Sequence, residues 1–226
     1  PLIETFSAFK KNFKGVNALP MQKARWNFLT QTCEVLEREF LGDPEAILEE
    51  GRHRIAPSPE GVGVLQVLLR LFPWVYGNDW ERDREGWFGN ARRDFYFLKR
   101  PQLFLLMYHD RASQTNELRS IGDMELLGPV VDYEIPRSYR DEGVLSYSPS
   151  LARKVRRGEP LLKGSRMELE IRIATFLALI RELEFINERR EEMGFLPIHM
   201  GHLDAYRWQK GQAARTSPHL CFTTSY

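Results

Sequence analysis

The sequence predicts a mainly α-helical protein whose 226 residues form a single compact domain, with possible lobes at residues 1–111 and 112–226. Three observations predict this fold class. Apolar residues recur at spacings of three and four, the period of an amphipathic helix. Helix start and stop signals flank several of these segments. β-type composition is confined to one short stretch, His219 to Thr224.

The first long helix is predicted from Met21 to Leu41. Its apolar stripe comprises Trp26, Leu29, Cys33, Leu36 and Phe40. A cysteine on that stripe is expected to be an inert core thiol. Because the chain has only two cysteines, Cys33 and Cys221, it predicts neither a cysteine metal cluster nor a disulfide framework.

Serine or aspartate followed by proline predicts the next two helix starts. Asp43-Pro44 combines an N-cap with a first-turn proline and opens a helix through Glu50. Ser58-Pro59 repeats this pattern before the apolar run Val62 to Phe72, which Pro73 closes. The polar, aromatic-rich stretch Gly77 to Asp94 is predicted to be a surface excursion over a site.

Two further helices are predicted in the second half. Ser148-Pro149 opens one that runs through Arg157. The strongest prediction is a helix from Arg166 to Met193, because Ser165 and Glu168 form a capping box and Gly194 is a C-terminal stop. Its apolar face includes Leu169, Ile173, Phe176, Ile180, Leu183 and Ile186.

Charge and hydropathy exclude several classes of protein. With 32 basic and 31 acidic residues the net charge is +1, which disfavours a protein that coats nucleic acid through a basic surface. No apolar run approaches the ~20 residues of a membrane span, and the first residues lack a signal-peptide layout. The sequence predicts a cytoplasmic protein and leaves the oligomeric state open.

The common catalytic motifs are absent from the sequence, including the Gly-rich phosphate loop, HExxH, paired CxxC and GxSxG. His199 and His202 are three residues apart, a spacing that can place two imidazoles on one metal. Gly201 between them disfavours a regular helix, and only Asp204 is near enough in sequence to complete the ligand set. We therefore expect loop histidines and predict no metal site.

Asp132 is the first candidate functional acid. It directly follows an apolar run and is bracketed by Pro129 and Pro136, which predicts a partly desolvated carboxylate at a rigid corner. Because desolvation raises the energy of a carboxylate, this acid requires a partner or a cationic ligand. The alternative is a turn acid that caps the following segment.

Asp204 is the second candidate. On a helix, Asp204 and Trp208 share one face at i and i+4, which sets a hydrogen-bond acceptor beside an aromatic plate. That pairing suits a planar heterocycle that carries an amine. The alternative places Asp204 at a helix N-cap and Trp208 in the core.

Lys99 and Arg100 form a basic pair within an apolar wall. Aromatic and apolar residues flank them, Phe95 to Leu98 before and Leu103 to Met107 after. A cation held in such a wall either binds a phosphate or pairs with a carboxylate such as Asp132. Both interpretations stay open at this point.

Five segments resemble motifs of one family, the queuosine salvage proteins, which are queuosine 5'-phosphate N-glycosylases/hydrolases. They follow the family's order and spacing between Phe95 and Tyr226, and the residues before Phe95 do not align with the family. The segments are KRPQ from Lys99, DYEIPR from Asp132, GVLSYS from Gly143, GSRMELEIR from Gly164 and DAYRW from Asp204.

Three positions depart from the family pattern and mark the chain as a divergent member. Val130 stands where the family has an aromatic residue that sandwiches the base. Glu134 replaces the family's arginine after Asp-Tyr, and Gln209 replaces an acid after the tryptophan.

The resemblance implies an all-α fold related to helix-hairpin-helix DNA glycosylases and a hydrolase that releases queuine from queuosine 5'-monophosphate. Asp132 is then the catalytic stabiliser or nucleophile, Asp204 binds the N–H groups of the base, and Lys99 meets the 5'-phosphate or poises Asp132. The other implied residues are the substrate contacts Val130, Tyr133, Ala205, Trp208 and Gln209, and a supporting pair of Glu170 with Arg172. No metal, organic cofactor, membrane or nucleic-acid partner is implied.

Two alternatives stay open. The first is a base glycosylase that acts on another modified nucleotide or on nucleic acid, in which case it must extrude its base and bind in a salt-dependent manner. The second is a non-catalytic module that binds a heterocycle or RNA, which predicts ligand binding without release of a base.

Overall fold

The computed structural model describes residues 5–14, 20–83, 85–89 and 93–225, and this part of the chain is mainly helical, as predicted. The helices are α1 (Phe6–Asn12), α2 (Gln22–Phe40), α3 (Ala46–Glu50), α4 (Val64–Leu71), α5 (Pro73–Tyr76), α6 (Lys99–Ser113), α7 (Glu134–Asp141), α8 (Pro149–Arg156), α9 (Arg166–Glu192) and α10 (Met200–Ala213). Two short strands, β1 (Trp80–Arg82) and β2 (Asp94–Tyr96), form a hairpin. Within these described residues, no helix combines the length and the apolar character that crossing a membrane requires.

The stripe predicted for α2 is partly wrong. Leu29 and Cys33 are exposed, so Cys33 is not a core thiol, whereas Val35 and Phe40 are buried. The helix contacts the core mainly through its C-terminal end. Its N-terminal end instead packs against α1, where the rings of Trp26 and Phe9 are 5.5 Å apart. The helix therefore packs against two different partners along its length, and one continuous apolar stripe cannot predict both contacts.

The proline-based predictions have different outcomes. Asp43 does cap the segment before α3, since its Oδ1 accepts a hydrogen bond from the Glu45 N–H at 2.9 Å. Ser58 lies instead in a turn that it closes with Gly61, and α4 begins later, after Gly63. Pro73 does more than end a helix, because it occupies the first turn of α5.

The segment Gly77 to Asp94 contributes strand β1, which sequence analysis missed. The strands pair antiparallel, with Trp80 opposite Tyr96, and each has three residues, too few to show an alternating pattern. The segment is also not wholly superficial, since Asp79 and Asp83 are fully buried. Conversely, the β-type composition of His219 to Thr224 produces no strand there, and within it only Cys221 forms a bridge, to Leu161.

The capping signals of the second half are confirmed. Ser148 Oγ accepts the Leu151 N–H at the start of α8. Ser165 Oγ accepts the Glu168 N–H at the start of α9, and the Glu168 carboxylate accepts the N–H of Gly164 at 3.1 Å. Gly194 follows the helix with φ +76°, a conformation that favours glycine.

One hydrophobic core joins both halves of the chain. It includes Val35 of α2, Leu68 of α4, Leu105 of α6, Tyr139 of α7 and Leu179 of α9, each at most 1% exposed. Complete burial of one such aliphatic side chain contributes roughly 1.5–3 kcal/mol to stability. The core thus crosses residue 112, the predicted boundary between lobes.

Helices α7 and α10 pack closely against each other. A Cβ at Gly211 of α10 would lie 2.1 Å from the carbonyl oxygen of Glu134, the first residue of α7. Only glycine permits so short an approach to backbone. Since Glu134 lies two residues after Asp132, the contact at Gly211 sets the position of the corner that carries Asp132.

Candidate active site

Lys99 and Asp132 form a buried ion pair at the centre of the candidate site. The Lys99 Nζ lies 2.6 Å from the Asp132 Oδ2, and their side chains are 8% and 14% exposed. Asp132 Oδ1 also accepts the Glu134 N–H at 3.0 Å, so this acid both pairs with a cation and caps α7. Asp132 is therefore both a desolvated acid with a cationic partner and an acid that caps the following segment. Lys99 is the cation that offsets its desolvation.

The backbone is strained immediately before both members of the pair. Leu98, before Lys99, has φ +50°, and Val131, before Asp132, has φ +35°. A positive φ is uncommon for any residue except glycine, and for a β-branched residue such as valine it is an outlier. Strain of this kind persists only where the surrounding structure imposes it, and it concentrates at functional sites.

Asp204 of α10 is the third member of the site. It is 6% exposed, and its Oδ1 has no hydrogen-bond partner among the described residues. The pKa of Asp204 is raised to about 7, chiefly by burial and also by the charge of Asp132, while Lys99 and the Val130 N–H act in the opposite direction. Asp204 therefore lies within electrostatic range of the ion pair and exchanges a proton near neutral pH.

The alternative in which Asp204 is a helix N-cap and Trp208 is a core residue is wrong on both points. Asp204 lies inside α10 and the N-cap is His199, while Trp208 is 40% exposed and outside the core. Ala205 and Gln209 are also exposed on α10. Contact of these three exposed residues with a substrate stays a prediction.

Arg172 is buried, and its predicted pairing with Glu170 is wrong. Glu170 is on the surface of α9 and pairs with Arg166 at 2.7 Å. Arg172 points the other way into the protein, where its Nη2 lies 2.8 Å from the Asp79 Oδ1 and its guanidinium covers the Phe97 ring at 3.7 Å. Residues two apart on a helix face different directions, which explains the separation.

His219 belongs to the same buried region and was missed in sequence analysis. It is 4% exposed. The pKa of His219 is lowered to about 4, chiefly by burial and also by the charges of Arg172 and Arg140, while Asp132 acts in the opposite direction. The imidazole is therefore neutral at pH 7 and lies within electrostatic range of Asp132. Its neighbours in sequence carry no motif, so only the fold reveals its position.

Two clefts meet at Tyr133, the residue after Asp132, and at Arg25 of α2. We call the first the basic cleft; it has a volume of about 320 Å³ and is lined by Arg25, Phe28, Lys99, Arg100, Leu103, Tyr133 and Thr224. The second, the apolar cleft, measures about 280 Å³ and is lined by Pro20, Met21, Arg25, Tyr133, Pro160, Pro218, His219, Leu220, Cys221, Phe222 and Thr223.

The basic cleft has the composition of an anion site. Of the described residues that line it, three are cationic, Arg25, Lys99 and Arg100, and none is acidic. The Arg100 guanidinium is held over the Phe28 ring at 4.7 Å. A larger cleft of about 570 Å³ lies at the hairpin, but Lys99, Asp132 and Asp204 are not among its lining residues. The composition therefore favours the basic cleft for an anionic ligand.

Val130 and Glu134, two of the departures from the family pattern, are buried. Val130 is 1% exposed in the main core. Glu134 pairs with Arg137 at 2.5 Å, and Arg137 also donates to the carbonyls of Ala214 and Thr216 at 2.8 Å each. An acid at 134 is thus matched by a base at 137, and the pair fixes the chain after α10 to α7.

His199 and His202, whose spacing resembles that of metal ligands, have structural contacts instead. His199 Nδ1 accepts the Gly201 N–H, and His202 Nδ1 accepts the His199 N–H, so together they cap α10. His202 and Gly201 lie inside the helix, contrary to the predicted loop. Within the part of the chain that the structure describes, no three histidine, cysteine or acidic side chains are grouped as metal ligands would be.

Comparison with known proteins identifies similar chains. The sequence model of the queuosine salvage protein family matches residues 3–224, so the similarity extends well before Phe95, where sequence analysis found none. A queuosine 5'-phosphate N-glycosylase/hydrolase of Sphaerobacter thermophilus is 28% identical over 207 residues, which cover 88% of this chain and 55% of that protein.

Two eukaryotic proteins of the same name are also similar. The Mus musculus protein is 26% identical over 205 residues, 87% of this chain and 54% of its own length. The Dictyostelium discoideum protein is 29% identical over 121 residues, 54% of this chain and 36% of its own length. The chain thus spans about half the length, or less, of the curated relatives it matches.

Proposed function

The chain belongs to the queuosine salvage protein family, and from this premise we propose that it hydrolyses the N-glycosidic bond of queuosine 5'-phosphate. The products are queuine and ribose 5-phosphate. The bond between the base nitrogen and C1' of the ribose breaks with its electron pair on the base, and water adds to C1'. The names of the relatives from three organisms support this substrate and reaction.

The buried carboxylate of Asp132 supports the chemistry. As the bond breaks, positive charge develops on the sugar, and a fixed carboxylate stabilises that charge more strongly in the transition state than in the ground state. In the proposal Asp132 is this stabiliser or forms a covalent bond to C1' as nucleophile. Lys99 Nζ, 2.6 Å away, keeps the carboxylate oriented until the sugar arrives.

The remaining site residues have roles as binding groups. Asp204, with its unpartnered buried oxygen, accepts hydrogen bonds from the N–H groups of the base. Arg25, Lys99 and Arg100 in the basic cleft bind the 5'-phosphate, since charge-assisted bonds to phosphate are strong. Tyr133 lies between the two clefts, where its ring can pack on the sugar or base.

One observation carries the proposal: a carboxylate is held by a buried lysine that lines a cationic cleft, and a second buried carboxylate lies within electrostatic range of this pair. The proposal also includes an evolutionary relationship to the helix-hairpin-helix DNA glycosylases, a single-domain organisation and a cytoplasmic location. The core that crosses residue 112 supports the single domain.

The test is incubation of the purified chain with queuosine 5'-monophosphate, with free queuine followed by mass spectrometry. We expect release of queuine, and faster release from the 5'-phosphate than from the nucleoside queuosine. Release of a base from other modified nucleotides or from nucleic acid, but not from this substrate, would favour the altered-substrate alternative. Binding of queuine without any release would favour the non-catalytic module.

A further inference from the structure

Asp79 lies directly before strand β1 and is completely buried, yet no motif in the sequence marks it. Its carboxylate bridges two elements far apart in the chain. Oδ2 accepts the Lys99 N–H at 3.0 Å and the Arg172 Nη2–H at 2.9 Å. A buried carboxylate is costly unless it is paired and hydrogen-bonded, and Arg172 supplies the pairing charge.

The backbone of Asp79 fixes the same segment. Its carbonyl oxygen accepts the N–H of Phe97 at 3.0 Å and that of Leu98 at 3.3 Å. With the side-chain bond to Lys99, three successive N–H groups at the start of α6 therefore converge on one residue. This convergence supplies the restraint that the left-handed Leu98 requires, because strained backbone persists only where its surroundings over-determine it.

Arg172 is held as firmly as Asp79. It is 1% exposed, covers the Phe97 ring and lies 3.8 Å from Glu168 on its own helix. Helix α9 thus anchors Asp79, and Asp79 anchors the first residue of α6. The side chain of that residue, Lys99, reaches Asp132 at 2.6 Å.

We propose that Asp79 is a positioning residue for the reaction: through Arg172 and the Lys99 backbone it sets where the Lys99 ammonium meets Asp132. This inference rests on the proposed function for its kinetic consequence, but the placement of Lys99 does not depend on any activity. Asp79 touches neither reacting atoms nor substrate, and it acts only through Lys99.

The first test measures the reactivity of the Lys99 amine. The variant Asp79→Asn keeps an acceptor for the Lys99 N–H but loses the charge that holds Arg172. Acetylation of Lys99 by an amine-reactive ester, measured by peptide mass spectrometry, should be at least several times faster in this variant. The matched control is Asp123→Asn, because Asp123 is equally buried, accepts two backbone N–H bonds and pairs with Arg54, but does not contact Lys99.

The second test is kinetic and uses queuosine 5'-monophosphate. Asp79→Asn should lower kcat by on the order of tenfold with little change in KM, because misplacement of a catalytic constellation impairs the chemical step. In a Lys99→Met background it should have no further effect on kcat, whereas a merely structural role predicts that the two losses multiply. Should Asp79→Asn not fold, Arg172→Lys provides the same measurements.

The outcomes separate the two proposals. Unchanged Lys99 acetylation in a folded Asp79 or Arg172 variant overturns the positioning role, whatever the activity. Multiplying losses in the double variant also overturn it. Absence of queuine release by the wild-type chain, together with faster Lys99 acetylation in Asp79→Asn, would reject the proposed function and retain the placement of Lys99 by Asp79.

Discussion

Substitution of Gly211 by alanine tests the contact that positions the Asp132 corner. The added Cβ would meet the Glu134 carbonyl oxygen at 2.1 Å and its carbonyl carbon at 2.6 Å, and both atoms belong to backbone. The oxygen would have to retreat by about 1.3 Å to reach an ordinary contact of 3.4 Å. Overpacking of this severity costs about 3 kcal/mol, and the better helix propensity of alanine returns about 1 kcal/mol.

A net loss of about 2 kcal/mol lowers Tm by roughly 6 °C for a chain of this size. Differential scanning calorimetry measures it, with Gln212→Ala as the control, since Gln212 is the exposed next residue of α10. Because α7 must move, the rate of queuine release should fall by about 100-fold in Gly211→Ala. An unchanged or higher Tm with full activity would refute the argument that this contact sets the site.

Two further predictions concern the charges of the site. Asp204 binds its proton more tightly when folded, with a pKa of about 7, than when unfolded, so wild-type stability should fall as the pH rises from about 4 to about 7. Asp204→Asn, which resembles the neutral acid, should therefore raise Tm more at pH 8, where the gain in stability approaches about 4 kcal/mol, than at pH 5, where it is about 2 kcal/mol; equal effects at both pH values would contradict the raised pKa. Lys99→Met should lower kcat/KM for queuosine 5'-monophosphate by about 10- to 100-fold more than for queuosine, because this factor corresponds to the free energy of one charge-assisted hydrogen bond to the phosphate. Equal losses for the two substrates would limit Lys99 to holding Asp132.

Local signals in the sequence predicted the helices whose ends are determined locally. The caps at Ser148 and Ser165 and the stop at Gly194 depend on neighbours within a few residues, so they could be read without a fold. The apolar stripe of α2 could not be predicted in this way, because the two ends of the helix pack against different elements. Strand β1 was missed because three polar and aromatic residues carry no periodicity.

The site was predictable only in part, for the same physical reason. Asp132, Lys99 and Asp204 could be singled out because each stands in an apolar context or a family motif. Asp79 and His219 acquire their roles from partners far along the chain, such as Arg172, 93 positions after Asp79. Arg172 was paired with the wrong acid, since sequence proximity to Glu170 hides the opposite directions of the two side chains.

The most direct test of the central claim, that the Asp132 carboxylate carries the cleavage, is a single-turnover measurement with queuosine 5'-monophosphate. Asp132→Asn keeps an oxygen for the Glu134 N–H, so the fold should persist, which circular dichroism checks. We expect this variant to release queuine about 100- to 1000-fold more slowly than the wild type, the size of effect for one lost electrostatic stabiliser. A folded Asp132→Asn variant that releases queuine at the wild-type rate would contradict it.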